Sequence, residues 1–152
     1  MVRARRANAP QCIFARALRL THHTPKRPRS ASPTNGRPKP WMSTRVAETL
    51  DAYPLLSCIK VDDTLPGIAE GLNAGMWTVG VARSGNEMGL DEDEDAALLA
   101  AKPAEHAARL DAAKARMRLA GAHYVVDSVK ELMPALDAIN QRLAKGEGPP
   151  FF

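Results

Sequence analysis

The stretch that decides the fold reads Leu56-Ser57-Cys58-Ile59-Lys60-Val61-Asp62-Asp63-Thr64-Leu65-Pro66-Gly67-Ile68. Its first half is a short apolar run bounded by turn formers, which is typical of a buried strand rather than a helix. Thr64 is a good helix N-cap, and Pro66 fits a first helical turn, where a missing N–H costs nothing. The pattern therefore predicts two aspartates at the carboxyl end of a strand, facing the start of a helix.

The next residues complete a strand–helix–strand unit. Residues 67–74 are compatible with a helix, Gly75 is a natural residue to end it, and residues 76–82 form a second apolar run. Such a crossover joins parallel strands, whose burial on both faces explains why the apolar runs are continuous. We therefore predict an α/β fold with a parallel sheet, and we expect ligands to bind at the carboxyl edge of that sheet.

The two aspartates at this edge have two interpretations. Asp63 could supply a carboxylate oxygen to Mg²⁺, a cation that usually takes one or two protein carboxylates. Alternatively, one aspartate caps the helix and the other is solvated. The Asp62–Asp63 pair alone does not decide between these interpretations.

Charge is distributed unevenly along the 152 residues, which are enough for one domain of ordinary size. Residues 1–40 contain ten Lys and Arg and no acidic residue, whereas the rest of the chain has 11 basic and 17 acidic residues. Such a head is typical of an organelle transit peptide, of a nucleic-acid-binding arm, or of extraneous sequence. We expect residues 1–32 to be a disordered or extraneous basic segment, and we do not expect nucleic acid as a partner.

The lengths of the apolar runs and the positions of the cysteines indicate the cellular compartment. No apolar run approaches the roughly 20 residues of a membrane span, so no membrane partner is expected. Cys58 lies inside the predicted core strand, so no disulfide with Cys12 is expected. We predict a reducing, cytoplasmic setting.

A stiff loop precedes the first predicted helix. It reads Asn35-Gly36-Arg37-Pro38-Lys39-Pro40-Trp41-Met42, and the residues 42–50 that follow are compatible with a helix. An arginine held by such a loop suits a bidentate grip on phosphate. The alternative is that Arg37 is one more basic residue among many.

The rest of the chain predicts further α/β elements. Residues 85–102 are expected to be a loop whose acidic cluster is solvated, and Pro103 opens a helix that Gly121 ends. A third strand follows at 123–126, where His123 is expected to be a structural residue. Residues 128–131 match a capping box at the start of the last helix.

Three stretches in order resemble a known family. They are G-R-P-x-P-W-M at 36–42, K-V-D-D-T-x-P-G-I at 60–68 and E-G-L-N-A-G-M-W-T-V-G-V at 70–81. Together they are similar to the C-terminal part of the phosphonoacetaldehyde hydrolases (phosphonatases) of the haloacid dehalogenase superfamily. The resemblance covers residues 33–146 as a C-terminal part of a haloacid dehalogenase-like core domain, and it leaves 147–152 as a tail.

The resemblance implies hydrolysis of the carbon–phosphorus bond of phosphonoacetaldehyde to acetaldehyde and phosphate, with Mg²⁺ as cofactor. An aspartate nucleophile and a Schiff-base lysine of a cap domain act in that family. Matched residue by residue, Asp63 falls on the metal ligand and Arg37 on the catalytic cation that neutralises phosphate, and Thr64 lies beside the substrate phosphate. Some superfamily members carry a second acid at the position of Gly67, so Asp62 is a further candidate metal ligand.

The departures from the family pattern lead to separate expectations. The nucleophile strand and the cap domain have no counterpart in the pattern of residues 1–36, so we expect a partial Rossmann-like sheet and a truncated, inactive enzyme. An exposed apolar sheet edge would favour self-association or a homodimer. The alternative function is a basic-tailed binding module that contacts nucleic acid on an α/β scaffold.

Overall fold

The computed structural model describes residues 12–15, 36–83 and 85–150, the first of these ranges through its backbone alone. The described residues form one parallel sheet of four strands in the order β1-β2-β3-β4, with helices on its faces. The strands are β1 Cys12–Ala15, β2 Cys58–Asp62, β3 Trp77–Val81 and β4 Tyr124–Val126. The helices are α1 Trp41–Thr49, α2 Leu65–Asn73, α3 Glu92–Ala101, α4 Pro103–Leu119 and α5 Leu132–Ala144.

The predicted strand–helix–strand unit is confirmed. β2 and β3 are buried at every position and pair in parallel, with Ile59 opposite Trp77 and Asp62 opposite Gly80. Gly75 follows α2 with φ 71°, the left-handed conformation that glycine adopts readily at a helix end. The α/β fold class predicted from the apolar runs is therefore correct.

Successive side chains of β2 and β3 point to opposite faces of the sheet, so the hydrophobic core has one part on each face. One face carries Ile59, Val61, Trp77, Val79 and Val81, which pack against buried residues of α5. The opposite face is covered by α2 and α4, where Ile68 and Met117 are fully buried. Lys60 and Asp62 lie between the apolar positions of β2, so their side chains are directed to the face that α2 covers.

The described part of the N-terminal segment contains one short strand. Residues 1–32 are predicted to be a disordered or extraneous basic segment, and the strand that the sheet is predicted to lack is the one that bears the nucleophile in the family. β1 contains no acidic residue, and it pairs in parallel with β2, with Cys12 opposite Cys58 and Ala15 opposite Val61. The edge of β2 is therefore not open, because a short β-compatible run can pair with it through backbone groups alone. The rest of the basic head lies outside the described residues.

The acidic cluster is helical rather than a loop. Asp91 caps α3 by accepting a hydrogen bond from the Glu94 N–H at 2.8 Å, and the Glu94 carboxylate accepts one from the Asp91 N–H at 3.0 Å. Acidic residues in this first turn also complement the helix dipole. Asp95 then fixes α3 by accepting hydrogen bonds from Arg83 and His106 at 2.8 and 2.7 Å.

The last helix begins later than predicted. Ser128 makes no side-chain cap, and residues 129–131 form a 3-10 turn before α5 starts at Leu132. This start places Pro134 in the first turn of α5, where its missing N–H has no intrahelical partner to lose. The capping-box prediction is therefore wrong, although the helix itself is confirmed.

No helix in the described ranges is long and apolar enough to cross a membrane.

Candidate functional site

The carboxyl end of β2 presents Asp62, Asp63 and Thr64 directly before α2. Thr64 has an extended backbone, and its hydroxyl accepts a hydrogen bond from the Gly67 N–H at 3.1 Å, so the predicted N-cap is confirmed. The same hydroxyl donates to Asp62 Oδ1 at 2.7 Å and accepts from Arg37 Nη1 at 3.3 Å. One donor and two acceptor sites are the full capacity of a hydroxyl, so the Thr64 side chain is saturated within the protein.

Asp62 is a buried member of an ion-pair network. Its Oδ1 also accepts the Thr64 N–H at 3.0 Å, and its Oδ2 lies 3.2 Å from Arg37 Nη2 and 3.4 Å from Lys60 Nζ. The Asp62 side chain is fully buried. Asp62 would have to give up several of these contacts to reach a metal ion, because both of its oxygens are already occupied.

Arg37 is brought to this edge from the loop before α1. Besides Asp62 and Thr64, its guanidinium reaches α2, where Nε donates to Glu70 Oε2 at 3.0 Å. The loop itself is tied to the end of α2, because Asn73 Nδ2 donates to the Pro38 carbonyl at 2.8 Å. Arg37 and Thr64, which the sequence predicted as site residues, therefore lie in hydrogen-bond contact.

Glu70 and Lys60 belong to the same network and were not predicted. Glu70 is completely buried, and its Oε1 accepts from the Ser43 N–H and hydroxyl at 2.8 and 2.7 Å. Lys60 Nζ lies 3.4 Å from Glu70 Oε2. The sequence carried one signal for this arrangement, a single acid inside an otherwise apolar helix that crosses a parallel sheet.

The ionisation of Glu70 is set by opposing effects. Burial raises the pKa of the Glu70 carboxyl, but the Ser43 hydrogen bonds, the charge of Lys60 and the Arg37 hydrogen bond together hold that pKa below its ordinary value. Glu70 is therefore a buried carboxylate that balances the charges of the buried Lys60 and the partly exposed Arg37. The network of Arg37, Lys60, Asp62 and Glu70 contains two positive and two negative groups.

Two glycines allow the close approaches that build the edge. A Cβ atom on Gly67 would lie 2.0 Å from Asp62 Cγ, so the Asp62 carboxylate occupies the space of a side chain at position 67. A Cβ on Gly85 would lie 2.8 Å from the Asp63 carbonyl oxygen and 2.9 Å from the Asp63 Cβ. The loop after β3 therefore packs directly against Asp63.

Asp63 differs from Asp62 in what it contacts. Within the part of the chain that the structure describes, no hydrogen bond or ion pair engages the Asp63 carboxylate, which is half-buried at the sheet edge. A carboxylate with both oxygens available suits a hard cation such as Mg²⁺, which completes its shell with water and substrate oxygens. No group of three or more His, Cys, Asp or Glu side chains gathers within the described ranges, so a metal at this edge would depend mainly on Asp63.

His123 lies away from this edge, at the start of β4. Its Nδ1 accepts the Thr78 N–H at 2.9 Å, and its Nε2 lies 3.1 Å from the Pro150 carbonyl. Burial lowers the pKa of His123, which agrees with a neutral ring that donates through Nε2. Its ring also meets Trp77 edge-on at 5.2 Å between centroids. These contacts match the structural role predicted for His123.

Known proteins resemble the chain over most of its length. No family model matches it. A phosphonoacetaldehyde hydrolase of Aeromonas hydrophila is 51% identical over 114 residues, and one of Klebsiella pneumoniae is 49% identical over 114 residues. A crystal structure of a phosphonoacetaldehyde hydrolase-like protein from Oleispira antarctica aligns with a TM-score of 0.70 and 51% identity, over 75% of this chain and 40% of the other.

The lengths of the matched regions differ between the chain and its relatives. The aligned 114 residues are 75% of this chain but 40% of the Aeromonas protein and 41% of the Klebsiella protein. The chain thus spans about two fifths of the length of the curated relatives that it matches. Over three quarters of its own length, this chain is similar to the phosphonoacetaldehyde hydrolases.

Proposed function

We propose that the edge formed by Arg37, Asp63 and Thr64 is the phosphate- and metal-binding part of a site that hydrolyses phosphonoacetaldehyde to acetaldehyde and phosphate. The observation that carries the proposal is the convergence of Arg37 with the residues at the carboxyl end of β2. The relatives' shared name, phosphonoacetaldehyde hydrolase, supports the choice of a small phosphonate as substrate. The reaction would take place in a cytoplasmic setting.

Each residue has a chemically distinct part in this proposal. Arg37 contacts the phosphoryl oxygens through guanidinium N–H groups, which suit a planar, bidentate grip. Thr64 and Asp62 hold the guanidinium in place. Asp63 supplies a carboxylate oxygen to Mg²⁺, which when bound neutralises charge on the phosphoryl group.

We further propose that this chain alone does not turn over the substrate. Transfer of a phosphoryl group to the protein needs a carboxylate nucleophile near Arg37 and Asp63. The first acidic residue of the sequence is Glu48, so no carboxylate lies in β1 or in the 32 residues that directly follow it. An imine-forming lysine is a second requirement of the family reaction, and Lys60 is engaged by Asp62 and Glu70.

Phosphate release from phosphonoacetaldehyde tests the proposed inactivity. With Mg²⁺ present, the purified chain is expected to release no more phosphate than its Asp63→Asn variant. Release that depends on Asp63 would show that the chain has its own nucleophile, and would overturn the proposed inactivity.

Binding measurements test the site itself. Inorganic phosphate titrated in the presence of Mg²⁺ should bind about tenfold more weakly to Arg37→Lys, because a lysine cannot reproduce the two-pronged grip. Asp63→Asn should abolish the dependence of binding on Mg²⁺. The matched controls Arg118→Lys and Asp111→Asn change exposed residues of α4 and should leave both measurements unaltered. Equal binding by all five proteins would refute the site.

We also propose that two copies of the chain associate through α1. Five large side chains on and just after this helix are exposed, with relative accessibilities of 55%, 51%, 39%, 61% and 81%; they are Trp41, Met42, Val46, Leu50 and Tyr53. Met42, Val46 and Leu50 are four positions apart and so share one face of the helix, and an apolar patch of exposed side chains is typical of an interaction surface. Antiparallel pairing of two α1 helices about a two-fold axis would also set Arg45 of one copy near Glu48 of the other.

Sedimentation velocity tests this association. The unaltered chain is expected to sediment as a dimer, and Leu50→Glu should convert it to a monomer by placing a charge in the apolar patch. Leu119→Glu is the control, because Leu119 is 88% exposed at the end of α4 and outside the patch. A monomeric unaltered chain, or a dimer that persists in Leu50→Glu, would contradict the proposal.

A further inference from the structure

Arg37 is held by three acceptors that come from three places in the fold. Nε donates to Glu70 on α2 at 3.0 Å, Nη1 to Thr64 at 3.3 Å, and Nη2 to Asp62 at the end of β2 at 3.2 Å. A guanidinium has five N–H donors. Two of them therefore have no acceptor among the described residues, and the side chain is 21% exposed. These two donors are the ones that an anion at this edge could meet.

Glu70 determines the orientation of the guanidinium. The Nε–H lies at the fixed inner end of the planar group, so its acceptor defines the direction in which the outer nitrogens project. Glu70 is itself immobilised, because its Oε1 accepts two hydrogen bonds from Ser43 at the start of α1. One carboxylate thus joins the Arg37 loop, α1 and α2, and it reaches β2 through Lys60.

Lys60 explains how this carboxylate remains charged without water. Its Nζ lies 3.4 Å from both Glu70 Oε2 and Asp62 Oδ2. The charge of Lys60 favours the ionised form of Glu70, and an ionised acceptor makes the stronger hydrogen bond to Arg37. Glu70 is fully buried, so it acts on an anion only through Arg37.

We propose that Glu70 is the positioning residue that turns the two remaining N–H donors of Arg37 toward a phosphate bound beside Asp63. This inference rests on the proposed function, because it assumes that Arg37 binds the phosphoryl group. It assigns Glu70 a part in the site in addition to its part in the core.

Glu70→Gln is the informative substitution because it keeps the size of the side chain. One end of an amide accepts and the other end donates. Whichever way it turns, its NH₂ group faces either Arg37 Nε–H or the Ser43 donors, so one of the two contacts must be lost. Glu147→Gln is the matched control, since it removes the charge from a carboxylate that accepts a similar hydrogen bond at the surface, from Arg142 Nε to Glu147 Oε2 at 2.7 Å.

Two readouts on the full chain test the proposal. The first is the NMR signal of the Arg37 Nε–H, which should be protected from exchange in the unaltered chain and in Glu147→Gln, and should lose that protection in Glu70→Gln. The second is a titration with inorganic phosphate and Mg²⁺, in which Glu70→Gln should bind phosphate about tenfold more weakly, as expected for loss of one charge-assisted contact. Binding of Mg²⁺ alone should not change.

The outcomes separate this inference from the proposed function. Phosphate bound equally by Glu70→Gln and the unaltered chain, with the Arg37 signal unaltered, would overturn the inference and leave the proposed function standing. An unaltered chain that binds no phosphate would refute the proposed function and, with it, the role of Glu70 toward phosphate. If Glu70→Gln does not fold, Glu70→Asp serves instead, because its shorter carboxylate cannot reach Ser43 and Arg37 together; an unaltered Arg37 signal in that variant would also overturn the inference.

Discussion

Replacing Gly67 with alanine should lower the free energy of unfolding by about 3 kcal/mol, which is large for the addition of one methyl group. The added Cβ would lie 2.0 Å from Asp62 Cγ and 2.0 Å from its Oδ1. The Asp62 carboxylate would have to move, and Arg37 and Lys60 would then lose a buried acceptor. Urea unfolding at pH 7 measures the change.

Repeating Gly67→Ala in an Asp62→Ala background shows whether contact with Asp62 causes the loss of stability. When Asp62 is already alanine, the space beside position 67 is empty, and Gly67→Ala should cost less than about 0.5 kcal/mol because alanine is the better helix former. The double-mutant cycle should therefore give a coupling of at least about 2 kcal/mol. Gly148→Ala, which would add a Cβ with no atom within 4 Å, should be neutral. An equal cost of Gly67→Ala in both backgrounds would mean that the clash involves something other than Asp62.

The sequence predicted the fold where local patterns are sufficient. The apolar runs of β2 and β3 are too short for helices, and Thr64 and Pro66 correctly predict the start of α2. The prediction of a loop at the acidic run was wrong because it considered the charge of these residues and not their spacing. Asp91 and Glu94 lie three apart, and that spacing makes the run a capped helix rather than a loop.

The site was predictable only in part because ion pairing is not local in sequence. Arg37 is predicted as a site residue from its loop and from the family resemblance, and Thr64 from the resemblance alone, yet the acceptor of Arg37 Nε lies 33 positions away on Glu70. Lys60 was counted as part of an apolar strand, and nothing in its neighbours indicates a partner ten positions later. Such pairs become visible only once the crossover places α2 over β2.

The pairing of β1 with β2 escaped prediction for a different reason. A parallel edge strand can be recruited by backbone hydrogen bonds alone, so it needs little sequence specificity. Residues 12–15 were too short and too close to prolines and arginines to stand out. Sequence patterns that rely on burial are least informative for a strand of this kind.

Replacing Glu70 with alanine should have the largest effect of any single substitution in the network, a loss of about 3–5 kcal/mol at pH 7. Four donors would lose the carboxylate that they share, namely the Arg37 guanidinium, the Lys60 ammonium and both the N–H and the hydroxyl of Ser43. Combining Glu70→Ala with Lys60→Met should cost less than the sum of the two single changes, because each removes a charge that the other leaves without a partner. Additive costs would contradict the pairing of Lys60 with Glu70.

The pH dependence of that loss identifies the charge of Glu70 as its source. The folded-state pKa of Glu70 lies below the ordinary carboxyl value of 4.5, because hydrogen bonds from Ser43 and the charge of Lys60 outweigh burial. A lowered carboxyl pKa contributes stability that is complete above 4.5 and is lost as the pH falls toward the folded-state pKa. The stability difference between the unaltered chain and Glu70→Ala should therefore be constant from pH 7 to about pH 5 and should shrink below that.

Urea unfolding at pH 7, 5 and 3.5 measures this stability difference, with Glu147→Ala as the control at the surface. A difference that stays constant down to pH 3.5 would mean that Glu70 stabilises the protein through packing rather than through its charge.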